Sequence, residues 1–356
     1  MDKEAVIVIN PGSTSSKIAF YNRKGELFSK SIDHSQKELA QFEKIADQLE
    51  YRHDNIKPYL DDYLSKEKLQ IVGIVGRGGI VKPIKGGTYR INNAFLEDAQ
   101  SGKYGEHASN LGSLLVNYFK EEFGLNECYT VDPVSTSSIS KIAEVSGVPG
   151  IVRDGRAHTL NMKMTARKIA QKQGVLFEES CYVIAHLGGG ISVGLVLGGK
   201  IIDVNDGLLG MGPFTPNRAG ALPLRGVMKL CYSRSEEEVK KLFSQESGFK
   251  AYLGTEDVRE VIKMVENGDK NAKLIYSAFV YQVAKEIGAC FAASKGKANG
   301  IVITGGIAHG KKFISDLKEY IGSLTEFHVY AGENEMEALA EGIFRVLDGI
   351  EEALEY

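Results

Sequence analysis

The sequence predicts an α/β protein built as two similar lobes, and three observations carry that prediction. An apolar run, a turn rich in glycine and serine, and a second apolar run occupy residues 5 to 21, AVIVINPGSTSSKIAFY. The same arrangement returns at residues 181 to 200, CYVIAHLGGGISVGLVLGGK, and a repeat of this kind implies duplicated units. Strand followed by glycines then occurs a third time at residues 300 to 310, GIVITGGIAHG, ahead of a helical stretch. A length of 356 residues, at roughly 150 per domain, gives about two domains.

The two hairpins invite comparison position by position. In the later one, 182 to 187 and 191 to 197 are short, β-branched and apolar, as buried strands are, and Gly188, Gly189 and Gly190 lie between them. A turn without Cβ atoms can adopt positive φ and offer successive N–H groups to a phosphate. Taken alone, the same residues also read as a plain glycine hairpin with His186 in the sheet. In the earlier hairpin Asn10 stands in the place of His186, Gly12, Ser13, Thr14 and Ser15 form the turn, and Lys17 follows. Used twice, the element points to a polyphosphate held from both sides of a cleft between lobes.

Composition excludes other classes. With 43% hydrophobic and 25% charged residues the chain is an ordinary globular one, able to bury two cores. A net charge of −3, with no basic run and no interleaving of basic and aromatic residues, argues against nucleic-acid and membrane partners. Cys128, Cys181, Cys231 and Cys290 are widely spaced and no signal-peptide pattern follows Met1, so they read as free thiols of a cytoplasmic protein without zinc. No apolar stretch reaches membrane-spanning length.

After the first hairpin, the pattern gives a strand at 26 to 33 and a helix from 38 to about 64, apolar on Leu39, Phe42, Ile45, Ala46 and Leu49. Residues 70 to 75 form a buried strand that runs into Gly76, Arg77, Gly78 and Gly79. A cation there is costly without a partner, and the glycines let an anion approach; a surface turn arginine is the plainer alternative. Residues 93 to 100 and 107 to 123 read as helices, and 128 to 132 as a strand ending in Asp132. That carboxylate either caps a helix near Ser137 or holds a metal at the strand's C-terminal edge. Glycines and a proline at 147 to 155 mark the lobe boundary, with domains over 1–150 and from 151 onward.

In the second lobe, Arg153, Arg156 and His158 precede a helix at 161 to 173. After the central hairpin and a strand at 200 to 205 comes GLLGMGPFTPNRAGALPLR, residues 207 to 225, a long glycine- and proline-rich loop of the kind that usually carries function. It contains Arg218 and ends at Arg225. Residues 224 to 296 are mainly helical. The helix at 271 to 291 turns Ile275, Phe279, Val283 and Ile287 to the core, with Leu274, Ala278 and Cys290 beside them. Gly305 and Gly306, delivered by a strand to a helix start, suit the base or ribose of a nucleotide. A strand at 326 to 330 and a helix at 335 to 347 close the chain. Glu335 lies in an acidic first turn that the helix dipole already favours, so spacing alone gives it no metal.

The segments INPGSTSSK, VGRGG, VDPV, AHLGGGISVG, GPFTPNRAGALP, LGTEDVRE, ITGGIAHG and GENEMEALAEG together resemble the butyrate kinases, within the family of acetate, propionate and butyrate kinases, over essentially the whole chain. The resemblance implies two duplicated ribonuclease-H-like lobes of the actin-like ATPase class, shared with sugar kinases and Hsp70 chaperones, with an ATP cleft between them. It implies that the last helix joins the first lobe, giving domains of 1–150 plus 337–356 and 151–336. It implies that Asn10, Ser13, Ser15 and Lys17 form one phosphate motif and His186, Gly188, Gly189 and Gly190 the other. Arg77, His158 and Arg218 match residues around the transferred phosphoryl group, Asp132 and Glu335 the carboxylates that bind or orient Mg²⁺, and Asp257, Arg259, Gly305, Gly306 and Ile307 the adenosine site.

The implied reaction is direct, reversible in-line transfer from ATP to a short-chain fatty acid, giving an acyl phosphate and ADP. An acid with a pKa near ~4.5 is ionised at pH 7 and needs no general base, so His158 is expected to act as a donor. The site must offset repulsion between anions, which two arginines, a histidine and Mg²⁺ can do. Phosphorylation of a hydroxyl would need a carboxylate base, and a non-enzymatic ATP switch of this fold would have no use for Arg77 and Arg218. Gly79 and Ala157 stand where acetate kinases carry valine and phenylalanine, which predicts a wider acyl pocket for butyrate or a branched acid. RDGRAH also departs from the family pattern before the histidine. The resemblance further implies a homo-oligomer, and two lobes predict closure on ligand.

Overall fold

The computed structural model describes residues 3–136 and 139–356. The fold follows from apolar runs too short and too uniformly buried for helices. In the first strand, β1 (Glu4–Pro11), Ala5 to Ile9 are all fully buried, so both faces of the strand meet protein. β2 (Ser15–Asn22) and β3 (Gly25–Asp33) continue it as an antiparallel meander. β4 (Gln70–Gly76) lies parallel on the other side of β1, and β6 (Tyr129–Val131) parallel to β4. β5 (Thr88–Arg90), antiparallel to β6, ends the sheet in the order β3-β2-β1-β4-β6-β5.

The second sheet is formed by β7 (Cys181–Leu187), β8 (Ile191–Leu197), β9 (Lys200–Val204), β10 (Gly300–Gly305) and β11 (Phe327–Ala331). Its order is β11-β10-β7-β8-β9. Again three strands run as an antiparallel meander, and two more lie parallel beside the first. Apart from β5, the two sheets therefore share one topology, which is the duplication the repeated hairpin predicts. Register agrees as well. Asn10 faces Lys17 one pair before the end of the first hairpin, and His186 faces Ser192 one pair before the end of the second.

The chain divides into two compact units, residues up to 136 together with 334–356, and residues 139–333. The expected boundary at 147 to 155 is therefore displaced. Ile139 and Ala143 are buried in the second unit's core beside Met162 and Ile184, and Val145 bridges Val152, so this stretch folds with the second unit. The alternative that Asp132 caps a helix near Ser137 falls on a residue outside those described. The last helix, Glu335–Leu347, packs on β1, β4 and β6 in the first unit. It comes close enough that a Cβ on Gly73 would lie 2.7 Å from Ile343 Cδ1.

Three local expectations change. The helix foreseen from 38 to 64 is broken into Gln36–Leu39, a 3₁₀ turn at Ile45–Gln48, and Leu49–Lys66. Ser35 and Glu38 cap the first piece reciprocally, and the Asp47 carboxylate accepts from the Lys44 N–H at 3.1 Å to start the next. Leu274, placed in the core stripe of the helix Lys270–Ala293, is 65% exposed, whereas Phe279, Val283 and Ile287 are fully buried. The helix foreseen from His107 begins at Asn110. All four cysteines are free thiols, three of them buried, and among the described residues no helix is long and apolar enough to cross a membrane.

Candidate active site

In the first unit, the C-terminal ends of β1, β4 and β6 bring polar side chains to one sheet edge. Arg77 follows β4 and keeps the ladder going, its N–H donating to the Ile9 carbonyl at 2.9 Å. Its side chain is 10% exposed and pairs with the Glu335 carboxylate, Nη1 to Oε1, at 3.0 Å, a separation that suits an ion pair although the angle does not direct a hydrogen bond. The other oxygen, Glu335 Oε2, accepts from Asn10 Nδ2 at 3.0 Å. Asn10, Arg77 and Glu335, 325 residues apart at the extremes, thus form one cluster at the N-terminus of the last helix. Asp132 follows β6 at the same edge, buried, with φ at +41°, a conformation costly for a residue with a side chain. Gly87 holds it there: the Asp132 N–H donates to Gly87 O at 3.0 Å, and Asp132 Oδ1 accepts from Gly87 N at 2.9 Å.

These two carboxylates fit Mg²⁺ by the chemistry of their donors. Mg²⁺ in nucleotide sites takes one or two carboxylates and completes its shell with phosphate oxygens and water. A carboxylate carries lone pairs on both oxygens, so a hydrogen bond to it does not by itself exclude a metal. Among the described residues there is no cluster of three or more His, Cys, Asp or Glu, as an all-protein metal cage would need.

In the second unit the glycine turn meets the long loop. His158 stands at the N-cap position of the helix Thr159–Gln173 without a side-chain capping bond, and its ring stacks on that of His186 with centroids 3.9 Å apart and planes inclined by 13°. His158 Nδ1 shares a 2.9 Å hydrogen bond with Ser192 Oγ, so a hydroxyl on β8 orients the imidazole. Arg218 is anchored at its backbone through Thr215, donates from Nη1 to the Gly207 carbonyl, and leaves its buried Nε without an acceptor among the described residues. Burial pushes its guanidinium pKa down, against the pull of Asp206. The glycines differ in backbone conformation from the expectation of positive φ. None of Gly188, Gly189 and Gly190 has positive φ. A Cβ on Gly190 would instead lie 2.8 Å from Arg218 Nη1 and 3.2 Å from His158 Cε1, so this glycine allows those side chains to approach.

The remaining expected residues are placed as follows. Ser13 and Lys17 are exposed and Ser15 half-buried on the first hairpin. Asp257 caps the helix Val258–Glu266 and chelates the exposed Arg259 guanidinium at 2.7 to 3.1 Å. Hydrogen bonds from that side chain, and then from the Arg259 N–H, hold the Asp257 carboxyl down to about 2. Gly305 has φ of +88° and sits where a Cβ would strike the Leu187 backbone, while Gly306 opens a 3₁₀ turn containing Ile307. Ala157 packs against the second unit's core. Gly79 needs correction as a source of pocket space. The room it leaves is filled, since a Cβ there would collide with the backbone and side chain of Asn110, whose Oδ1 accepts from Ile80 N at 2.8 Å.

Two residues with no expected role stand out. His107, an exposed residue, bonds Ser109 Oγ at 2.9 Å, and its pKa is pushed down by partial desolvation and then by the nearby Arg77 charge. Arg52, buried under the first hairpin, was hidden in a helical stretch, although its i, i+4, i+8 spacing with the buried Ile56 and Leu60 sets a cation in an apolar stripe.

The two-sheet architecture is the actin-like fold: the chain superposes on acetate kinase from Porphyromonas gingivalis with a TM-score of 0.75 over 96% of this chain and 99% of that one, at 16% identity. The acetokinase family model matches residues 144–339. Butyrate kinase 2 of Clostridium acetobutylicum is 43% identical and a probable butyrate kinase of Clostridium botulinum (strain Alaska E43 / Type E3) 42% identical, each over 99% of both chains. The chain belongs to the acetokinase family.

Proposed function

We propose that this protein transfers the γ-phosphoryl group of ATP to the carboxylate of a short-chain fatty acid, butyrate, giving butyryl phosphate and ADP in a reversible reaction. The observation that carries this reading is similarity of 42 to 43% identity, over 99% of both chains, to proteins named as butyrate kinases. Site chemistry supports it. Butyrate is ionised at neutral pH, so the obstacle is charge repulsion and not removal of a proton. Arg77 and Arg218 supply fixed positive charge to the transferred group, and His158, oriented by Ser192, donates a hydrogen bond to it. Asn10, Ser13, Ser15 and Lys17 take phosphate oxygens in the first unit, and His186, Gly188, Gly189 and Gly190 in the second. Asp257, Arg259, Gly305, Gly306 and Ile307 receive the adenosine. Asp132 and Glu335 would hold Mg²⁺, which when bound neutralises charge on the phosphates.

Ala157 widens the acyl side, so butyrate is favoured over acetate and a branched acid is accepted. Each buried CH₂ adds roughly 0.8 kcal/mol, or about a fourfold gain. Steady-state kcat/KM for acetate, propionate, butyrate and isobutyrate tests the assignment. It should rise from acetate to butyrate; a maximum at acetate would refute the acyl preference. Assembly with further copies is part of the proposal, and the helix Leu224–Ser233, which has no buried residue and exposes Leu224, Met228 and Tyr232, offers apolar surface for it. Light scattering on the purified protein reads the assembly directly.

A further inference from the structure

Arg52, on the helix Leu49–Lys66, is 1% exposed, and no ion pair compensates it among the described residues. Every acceptor it uses is neutral. Nη1 donates to the Gly12 carbonyl at 2.8 Å, the Ser15 carbonyl at 3.0 Å and Ser16 Oγ at 3.2 Å. Nη2 donates to the Ser13 carbonyl at 3.0 Å, and Gln48 Oε1 accepts from Nη2 at 2.9 Å and from Nε at 3.0 Å. Burial pushes the guanidinium down to about 10, which leaves it charged at neutral pH.

The backbone of the turn shows what this arrangement achieves. Three of its four carbonyls, those of Gly12, Ser13 and Ser15, point at Arg52, and the fourth, Thr14, accepts from the His34 N–H at 2.8 Å. Gly12 N is also used internally, donating to Ser15 O at 2.7 Å. With all four carbonyls engaged by protein donors, the N–H groups of Ser13 and Thr14 take no acceptor among the described residues, and both side chains are exposed. A turn with its donors outward and an unneutralised cation behind it is an anion receptor, because bare N–H groups and net positive charge act in the same direction. A buried guanidinium without a carboxylate is costly, and an anion held across the turn offsets that cost.

We propose that Arg52 is a positioning residue for nucleotide binding: its planar fork fixes the carbonyls of Gly12, Ser13 and Ser15 inward so that the turn presents its donors to a nucleotide phosphate, while its buried charge strengthens the attraction. This rests on the reading above that the turn receives ATP. Lysine cannot replace it, since a single ammonium carries charge but lacks the fork that reaches three carbonyls and Gln48 together.

The test uses full-length Arg52→Lys, Arg52→Gln and Gln48→Leu, each checked for folding by circular dichroism, with calorimetric titration of Mg²⁺-ATP and, separately, of adenosine. Adenosine carries no phosphate, so a loose fold weakens both ligands and a spoiled turn weakens only ATP. The Kd for ATP should rise tenfold or more in Arg52→Gln, less in Arg52→Lys and least in Gln48→Leu, while that for adenosine stays within twofold. ATP affinity within twofold of the parent in a folded Arg52 variant, or equal losses for ATP and adenosine, would overturn the proposal. If Arg52→Gln does not fold, the Lys and Gln48 variants decide it by the same comparison. A parent that binds ATP but forms no acyl phosphate would refute the proposed reaction and leave this test standing.

Discussion

The two hairpin turns occupy the same place in the two sheets and are held in opposite ways. The first, residues 12 to 15, is fixed from behind by Arg52, which binds its carbonyls and never reaches its outer face. The second, residues 188 to 190, closes on itself through Gly188 N and Gly190 O at 3.1 Å, and its outer side meets Arg218 and His158. One turn is given its charge through its backbone, the other through side chains beside it. The duplicated strands supply the frame, and the segments that differ between the units, the helix Leu49–Lys66 and the loop at 207 to 225, supply the charge. On the proposed function, duplication fixes where phosphates are received, whereas chemistry comes from what was not duplicated.

The contrast breaks most sharply at the arginines. Arg218→Ala and Arg77→Ala should lower kcat by about 10²-fold or more with little change in KM for ATP, because they are assigned to charge that develops during transfer. Near-normal turnover in either variant would remove that role. His158→Gln should be slower as well, with the shape of its pH profile retained; loss of one limb would make His158 an acid or base instead.

The second turn can be probed within itself. Gly190→Ala places a methyl 2.8 Å from Arg218 Nη1, whereas a methyl at Gly189 meets nothing within 4 Å. Activity should fall about tenfold or more in Gly190→Ala, from displacement of Arg218 and His158, and much less in Gly189→Ala. Equal losses would mean that the turn backbone, and not the space before Gly190, is what matters.

Pocket size separates the same two units. Gly79→Val should destabilise the protein by roughly 1–3 kcal/mol or more, since Asn110 fills the space a side chain would need. Ala157→Phe should instead lower the ratio of kcat/KM for butyrate to that for acetate. Denaturant melts and the two substrate ratios read these effects independently, and a stable Gly79→Val with altered selectivity would restore it to the acyl pocket.

The smallest effect lies beneath the first turn. Burial, and then the Arg52 charge, push the His34 imidazole below its usual value near 6.5, against the opposing pull of Glu38 and Asp33. The folded state then binds this proton less readily than the unfolded one. Its contribution to stability is complete above about pH 6.5 and is lost as pH falls through that value towards the folded pKa. His107, lowered by partial desolvation and Arg77, acts with the same sign. The melting temperature should drop less between pH 7.5 and 5.5 in His34→Asn than in the parent, and an equal drop would contradict the assignment.

Much of this was legible in the residues. Apolar runs around glycine turns gave the hairpins, and aligning Asn10 with His186 anticipated their shared register. What escaped depended on contacts between distant segments. The three-residue strand Thr88–Arg90 is too short to have a period, and its pairing with β6 is set by the tertiary fold. Gly79 and Gly190 read alike as flexible turn residues, yet one is crowded by Asn110 and the other admits Arg218 and His158. Arg52 was missed because a helical pattern was read for its apolar face alone. The polar pair Gln48 and Arg52, four residues apart, was the available signal.

The central claim is that phosphate passes to a carboxylate. Incubating the protein with Mg²⁺-ATP, butyrate and hydroxylamine tests it, because hydroxylamine converts an acyl phosphate to a hydroxamate, whose ferric complex is coloured. The account predicts butyrohydroxamate in an amount matching the ADP released, and none from Arg218→Ala at the same enzyme concentration and time. ADP release without hydroxamate would contradict it, as would hydroxamate formation that Arg218→Ala supports equally well.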